Sequence, residues 1–201
     1  MKNPPESRTA RSSPHIGDAC HLPGNLRSLR QQADLTLDQL AERAGVSRAM
    51  ISKIERGVSV PTATVLGKLA AALNLGLSQL LGQVKARAPL LVGRGEHPVF
   101  CDPETGFERR SLSPLFEDST INLAFNVLPP NKTAVFPPHH KGVEEYLVVH
   151  EGRLTVVIGG TPFNVGPGDT LFYPSDCVHE FRNETHLPVS FYIVIDDRSK
   201  R

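Results

Sequence analysis

LTLDQLAERAGVSRAMISKIERG, residues 35–57, has the apolar spacing of two short helices crossing over a tight turn. Leu40, Ala41, Val46, Ile51 and Ile54 recur at the steps that put side chains on one helix face, and they predict a shared core. Ala41 is small where the two helices must approach closely. Gly45 opens the turn, a position at which a left-handed backbone favours glycine. Thr36 and Ser47 stand where an N-cap would satisfy the first free N–H groups of each helix.

The same punctuation extends in both directions. From Leu22 to Gly82 the chain predicts five short helices, with Thr36, Ser47, Thr62 and Ser78 as N-caps and Gly45, Gly57, Gly76 and Gly82 as stops. Residues 1–21, rich in Pro, Ser and Arg, carry too little apolar surface to offset the entropy of ordering and predict a disordered tail. Residues 83–98 lose the helical period and read as a linker. From 99 to 197 short apolar runs alternate with turn residues: INLAFNVLPP, EEYLVVHEG, RLTVVIGG, TPFNVGPGD, TLFYP, HEFRN and VSFYIVIDD. They predict a meander of antiparallel strands closing into a small barrel or jelly roll, with residues 198–201 as a short tail.

Composition bounds what such a chain can do. With 201 residues, 39% of them hydrophobic, it is long enough for two compact domains. No apolar run approaches the roughly 18 residues that a membrane span needs, and the N-terminus lacks an apolar signal stretch, so the expected location is the cytoplasm. Cys20, Cys101 and Cys177 are widely spaced and form no CxxC pair, which points away from a disulfide framework and a cysteine zinc site. The charge is divided: residues 22–82 hold seven Lys or Arg against four Asp or Glu, and residues 83–201 hold twelve against fifteen. A basic front on an acidic back suits a nucleic-acid-binding head on a body with another task.

Residues 35–57, and nearly all of 22–82 around them, resemble the helix-turn-helix of the Xre (Cro/C1-type) family, a lambda-repressor-like five-helix domain. The resemblance implies that the second helix of the pair lies in the major groove with its first residues on base edges. Matched position by position, Arg48, Ala49, Ser52 and Lys53 would face DNA. Arg48 would reach a guanine and the Ala49 methyl a thymine methyl. Thr36, Gln39 and Ser47, near helix starts, would meet phosphates. Leu37 stands where the family often has a glutamine that clamps a phosphate. Arg30 and Glu55 correspond to a structural ion pair.

The back half resembles the cupin superfamily. In its first motif a histidine, four residues, a glutamate, six residues and a glycine match His140, Glu145 and Gly152; Gly168, Pro174, His179 and Asn183 match the second. Strand alternation would bring His140, Glu145 and His179 to one mouth of the barrel as an effector pocket. Their two imidazoles and one carboxylate suit a divalent zinc, iron, manganese or nickel ion, the alternative being a ligand pocket without metal. Two departures stand out: Pro138 replaces the family's earlier histidine, leaving His139 as the alternative ligand, and Asp176 replaces a glycine.

Together the halves give an α+β chain of two domains, and their order resembles bacterial transcription regulators with a cupin sensor. That implies a double-stranded operator, a small-molecule effector and a homodimer, since symmetric operators mirror two-fold proteins. The same order is also similar to hydroxypropylphosphonate epoxidase, whose cupin holds iron through two histidines and a glutamate. Against an enzyme stand Arg48, Ser52 and Lys53, which an enzyme has no need to keep.

Overall fold

The computed structural model describes residues 22–81, 90–114 and 119–197; the tail over 1–21, the start of the linker, Gly82 and residues 198–201 lie outside them. The front half forms α1 (Leu22–Gln32), α2 (Leu37–Ala44), α3 (Arg48–Glu55), α4 (Ala63–Ala72) and α5 (Leu77–Leu81). A capping box starts α2. Thr36 Oγ1 accepts from the Gln39 N–H at 3.2 Å, and the Gln39 side-chain oxygen accepts from the Thr36 N–H at 2.9 Å. Gly45, at φ 59°, closes α2 and turns the chain into α3, where Ser47 caps through the Met50 N–H. Leu40, Val46, Ile51 and Ile54 are buried as their spacing predicts, and Ala41 is partly buried beside them.

Two expected signals act differently. Ser78 lies inside α5, which begins at Leu77, and the Gln79 side chain instead accepts from the Gly76 N–H at 2.9 Å. Beyond α4 the left-handed residue is Asn74, at φ 54°, rather than Gly76. Asparagine tolerates this conformation because its short polar side chain can bond locally.

The back half comprises β1 (Val99–Cys101), β2 (Glu108–Ser111), β3 (Ile121–Leu128), β4 (Lys132–Phe136), β5 (Val143–Glu151), β6 (Leu154–Ile158), β7 (Thr161–Val165), β8 (Thr170–Pro174), β9 (His179–Asn183) and β10 (Val189–Asp197). They form a six-stranded sheet in the order β1-β2-β3-β10-β5-β8 and a four-stranded sheet in the order β4-β9-β6-β7, antiparallel throughout. Phe107, Phe136, Leu147, Val156, Phe181 and Phe191 fill the space between the sheets. β1, β2 and β4 are only three to five residues long, and the sequence does not predict them.

The helical and β units share one continuous apolar core, and the seam runs along α4 and β4. Asp102, buried just after β1, accepts through Oδ2 from the Ala63 N–H at the start of α4, while its Oδ1 accepts from the N–H groups of Glu104 and Thr105. Thr62, the cap from α4's own chain segment, accepts from the Val65 N–H. The N-terminus of α4 therefore has one acceptor from each unit, where the helix dipole favours a carboxylate. Thr64 Oγ1 donates to the Val135 carbonyl at 3.1 Å. Gly67 has no side chain because Pro137 is already there: a Cβ would lie 2.8 Å from the proline Cδ.

Burial alone would raise the Asp102 pKa, but the N–H donors of Ala63, Thr105 and Glu104 outweigh it and hold the carboxyl below its usual value. A lowered folded-state value means that this contribution is complete above the unfolded carboxyl's range, about pH 4, and is lost as the pH falls through the folded-state value. Asp102→Asn should therefore lower stability at neutral pH by about 1 kcal/mol and flatten the acid limb of a thermal-melt pH profile. An acid limb identical to that of the unaltered protein would exclude this role. Gly67→Val should part α4 from Pro137, read as faster amide exchange along the seam with the cores of both units still protected.

Candidate functional site

The exposed side of α3 carries the residues expected to read DNA. Arg48, Ala49 and Lys53 are exposed and Ser52 is partly so, while Ile51 and Ile54 anchor the opposite side. Met50, 41% exposed, shares that surface and was not among the residues expected to face DNA. Arg48 Nε lies 3.1 Å from Asp38 Oδ1 in an exposed pair, which contributes little to stability and leaves the guanidinium able to change partners. Thr36, Gln39 and Ser47 are exposed at the helix starts and serve as caps, so their positions are fixed. Leu37 is partly buried and packs on the core, which accounts for an apolar residue there.

Behind this surface Arg30 and Glu55 form a two-point ion pair. Nε and Nη2 donate to the two carboxylate oxygens at 2.7 and 3.0 Å, and Nη1 donates to the Leu35 carbonyl at 2.8 Å. The pair ties α1 to the end of α3 and sets the angle at which α3 is presented.

In the β unit, Glu145 sits on the inward side of β5, opposite Ile195 of β10 and Tyr173 of β8. His179 begins β9, paired with Phe136 of β4 and Ile158 of β6. The loop between β4 and β5 adds His139, its backbone N–H bonded to the Ser175 carbonyl at 2.9 Å. His139 Nε2 is 3.1 Å and His179 Nε2 3.8 Å from Glu145 Oε1, and the three ligand atoms lie within 4.8 Å of one another.

Of the two adjacent histidines, His139, the alternative ligand, faces Glu145. His140, which the motif spacing favours, turns the other way, with Nε2 3.0 Å from Asp197 Oδ1 at the end of β10. Adjacent residues in extended chain point to opposite sides, and only one of the pair can enter the barrel. Pro137 and Pro138 precede them, and Pro137 is held by Gly67, which fixes which histidine turns inward.

The electrostatics suit a cation. Burial disfavours the Glu145 carboxylate, but His179, His139 and the Tyr173 hydroxyl outweigh it and hold its pKa well below the usual range. Burial pushes the His179 pKa down despite Glu145, leaving a neutral imidazole, the form that binds metals. His179 Nδ1 lies 3.2 Å from the Cys177 carbonyl; a proton on Nδ1 directs Nε2 at the cluster, the outer support usual for metal-binding histidines. Tyr173 donates to Glu145 Oε2, and burial followed by Glu145 raises its own pKa well above 10. Ligands at about 2.1 Å from one ion lie about 3.0–3.4 Å apart, so small shifts of these side chains would accommodate zinc, iron, manganese or nickel.

Two residues of this site were missed. Tyr173 is the buried position of TLFYP, and alternation could have turned it inward. Arg109, in β2, is fully enclosed and lines the same cavity as Glu145, His139 and His179, with Nη1 3.4 Å from Asn126 Oδ1. Period-two alternation in Glu108–Ser111 would have put one of its two arginines inside, had the strand been recognised.

A helix-turn-helix family model matches residues 26–80 and a cupin-domain model residues 125–195. The chain is 31% identical over 179 residues to the HTH-type transcriptional regulator SutR of Escherichia coli K12, covering 87% of this chain and 93% of SutR. It is 26% identical over 190 residues to the regulator PuuR of the same organism, covering 88% of this chain and all of PuuR. A crystal structure of a helix-turn-helix family transcriptional regulator from Vibrio cholerae superposes with a TM-score of 0.73 at 27% identity, over 90% of this chain and 97% of that one.

The two histidines make different predictions. His139→Ala should cut zinc affinity by at least about tenfold in a competition titration, and His140→Ala should leave it within about twofold. The reverse order would assign the site to the motif-matched histidine.

Proposed function

This chain belongs to the family of helix-turn-helix transcriptional regulators with a C-terminal cupin domain, and we propose that it acts in the cytoplasm as a homodimer on a two-fold operator, under control of a small molecule bound in the cupin. The observation that supports this most strongly is α3. Its inner side is locked by Ile51, Ile54 and the Arg30–Glu55 pair, while Arg48, Ala49, Ser52 and Lys53 face outward with no covering element among the described residues. A helix held this firmly and left bare on its polar side is suited to the major groove. Arg48 exchanges Asp38 for guanine O6 and N7, and Thr36, Gln39 and Ser47 present helix starts to phosphates.

The regulatory half rests on His139, Glu145 and His179, which would hold a divalent metal within the effector pocket. SutR and PuuR, which align with most of this chain, are transcriptional regulators, which supports sensing rather than oxidation at these two histidines and the carboxylate. Among the described residues no helix is long and apolar enough to cross a membrane.

Selection of genomic fragments with the purified protein should return a short inverted repeat. Arg48→Ala should weaken binding to that site about 5- to 150-fold and relax preference at one base pair per half-site. An equal loss on every sequence would make Arg48 a phosphate contact. His139→Ala combined with His179→Ala should leave operator binding intact while abolishing its response to the effector, measured by fluorescence anisotropy.

A further inference from the structure

Arg109 is the one permanent cation among the residues lining the cavity, and Glu145 the one carboxylate. The other walls are Phe136, Phe181, Ile193, Ile195 and, from the DNA-reading unit, Leu77 of α5. Without a metal the guanidinium and the carboxylate balance. A divalent ion on His139, Glu145 and His179, with neutral imidazoles, would leave two positive charges in excess in a small, half-open and mostly apolar space. Buried positive charge is costly, and a bound anion would offset part of it. The fork of an arginine matches two carboxylate oxygens, and the aromatic and branched walls suit a short hydrocarbon body. One carboxylate offsets one of these two charges, and Arg109 is the one guanidinium among the residues lining the cavity that could receive it.

We propose that the barrel binds a short-chain monocarboxylate, its carboxylate between Arg109 and the ion, and that Leu77 of the DNA-reading unit is the lid over it. The cavity as folded is about 20 Å³, room for one or two waters. A carboxylate with a hydrocarbon tail needs more, and the wall that belongs to another unit is Leu77. Its neighbour in the seam is the tight contact of Gly67 with Pro137, two residues before His139. A ligand seated in the barrel therefore binds the arrangement with α5 lifted more tightly than the closed one, the differential affinity that a switch requires.

This rests on the metal reading, so zinc uptake is measured separately, by calorimetry on the full chain. Butyrate should then bind the zinc-loaded protein and raise its melting temperature, and butylammonium, of like size and opposite charge, should not. Arg109→Gln should keep zinc and weaken butyrate at least about tenfold. Leu77→Ala should keep zinc and tighten butyrate several-fold; if Arg109→Gln does not fold, this variant decides, and an unchanged butyrate affinity overturns the lid. Zinc-loaded Arg109→Gln binding butyrate normally, or butylammonium binding as well as butyrate, would each overturn the anion site, and inorganic phosphate binding in place of butyrate would overturn the monocarboxylate assignment. Failure to take up zinc would instead overturn the metal reading on which it stands.

Discussion

A carboxylate between two sheets of apolar side chains has to be surrounded by donors or cations, and much of the β unit's interior is arranged around Glu145. Its position in β5, flanked by β10 and β8, brings Tyr173 to one oxygen and the two histidines to the other. Arg109 supplies compensating charge from β2, three strands away in sheet order, across a cavity rather than along a strand. The cost of burying a charge, several kcal/mol even after relaxation, is what makes these partners necessary. It also explains why the stacked rings of Phe136, His139 and His179 lie side by side: the aromatic wall excludes water and keeps the field of the carboxylate undiluted.

That arrangement is tied to the helical unit by a short path. His139 is positioned by Pro137 and Pro138, Pro137 is in contact with Gly67 of α4, and α4 is held at its N-terminus by Asp102. α4 packs on α2, and α2 on α3, the helix that carries Arg48. Each step is a packed contact or a hydrogen bond between rigid elements. Such a path transmits a displacement only if the elements have two arrangements of similar energy. The polar contacts of the seam include the Asp102–Ala63 and Thr64–Val135 hydrogen bonds, beside the close approach of Gly67 to Pro137.

The helical half was largely legible because its signals are local. Caps, a left-handed glycine and a three-to-four-residue apolar step all lie within one turn of the residues they organise, and Thr36, Gly45, Ser47 and Ile51 each agree with the others. Ser78 and Gly76 misled because a cap can be supplied by another side chain, here Gln79, and a left-handed residue by asparagine. Leu37 shows the limit of family matching: the position follows the fold, but its side chain was recruited into the core.

In the β half the chemistry was legible and its geometry was not. The spacing between Glu145 and its histidine selects His140, yet which of two neighbours enters a barrel depends on the pitch of the loop before it. That pitch is set by Pro137 resting on a helix seventy residues earlier in the chain. Arg109 was hidden for a related reason. A charged residue in a short polar strand reads as surface, because charge is expensive to bury; it becomes an interior residue only once an opposing carboxylate is in place, and nothing in the order of residues announces that Glu108–Ser111 and Val143–Glu151 line one cavity. The residues that decide what this barrel holds are therefore those whose partners are farthest away in sequence, and for them the fold itself is the evidence.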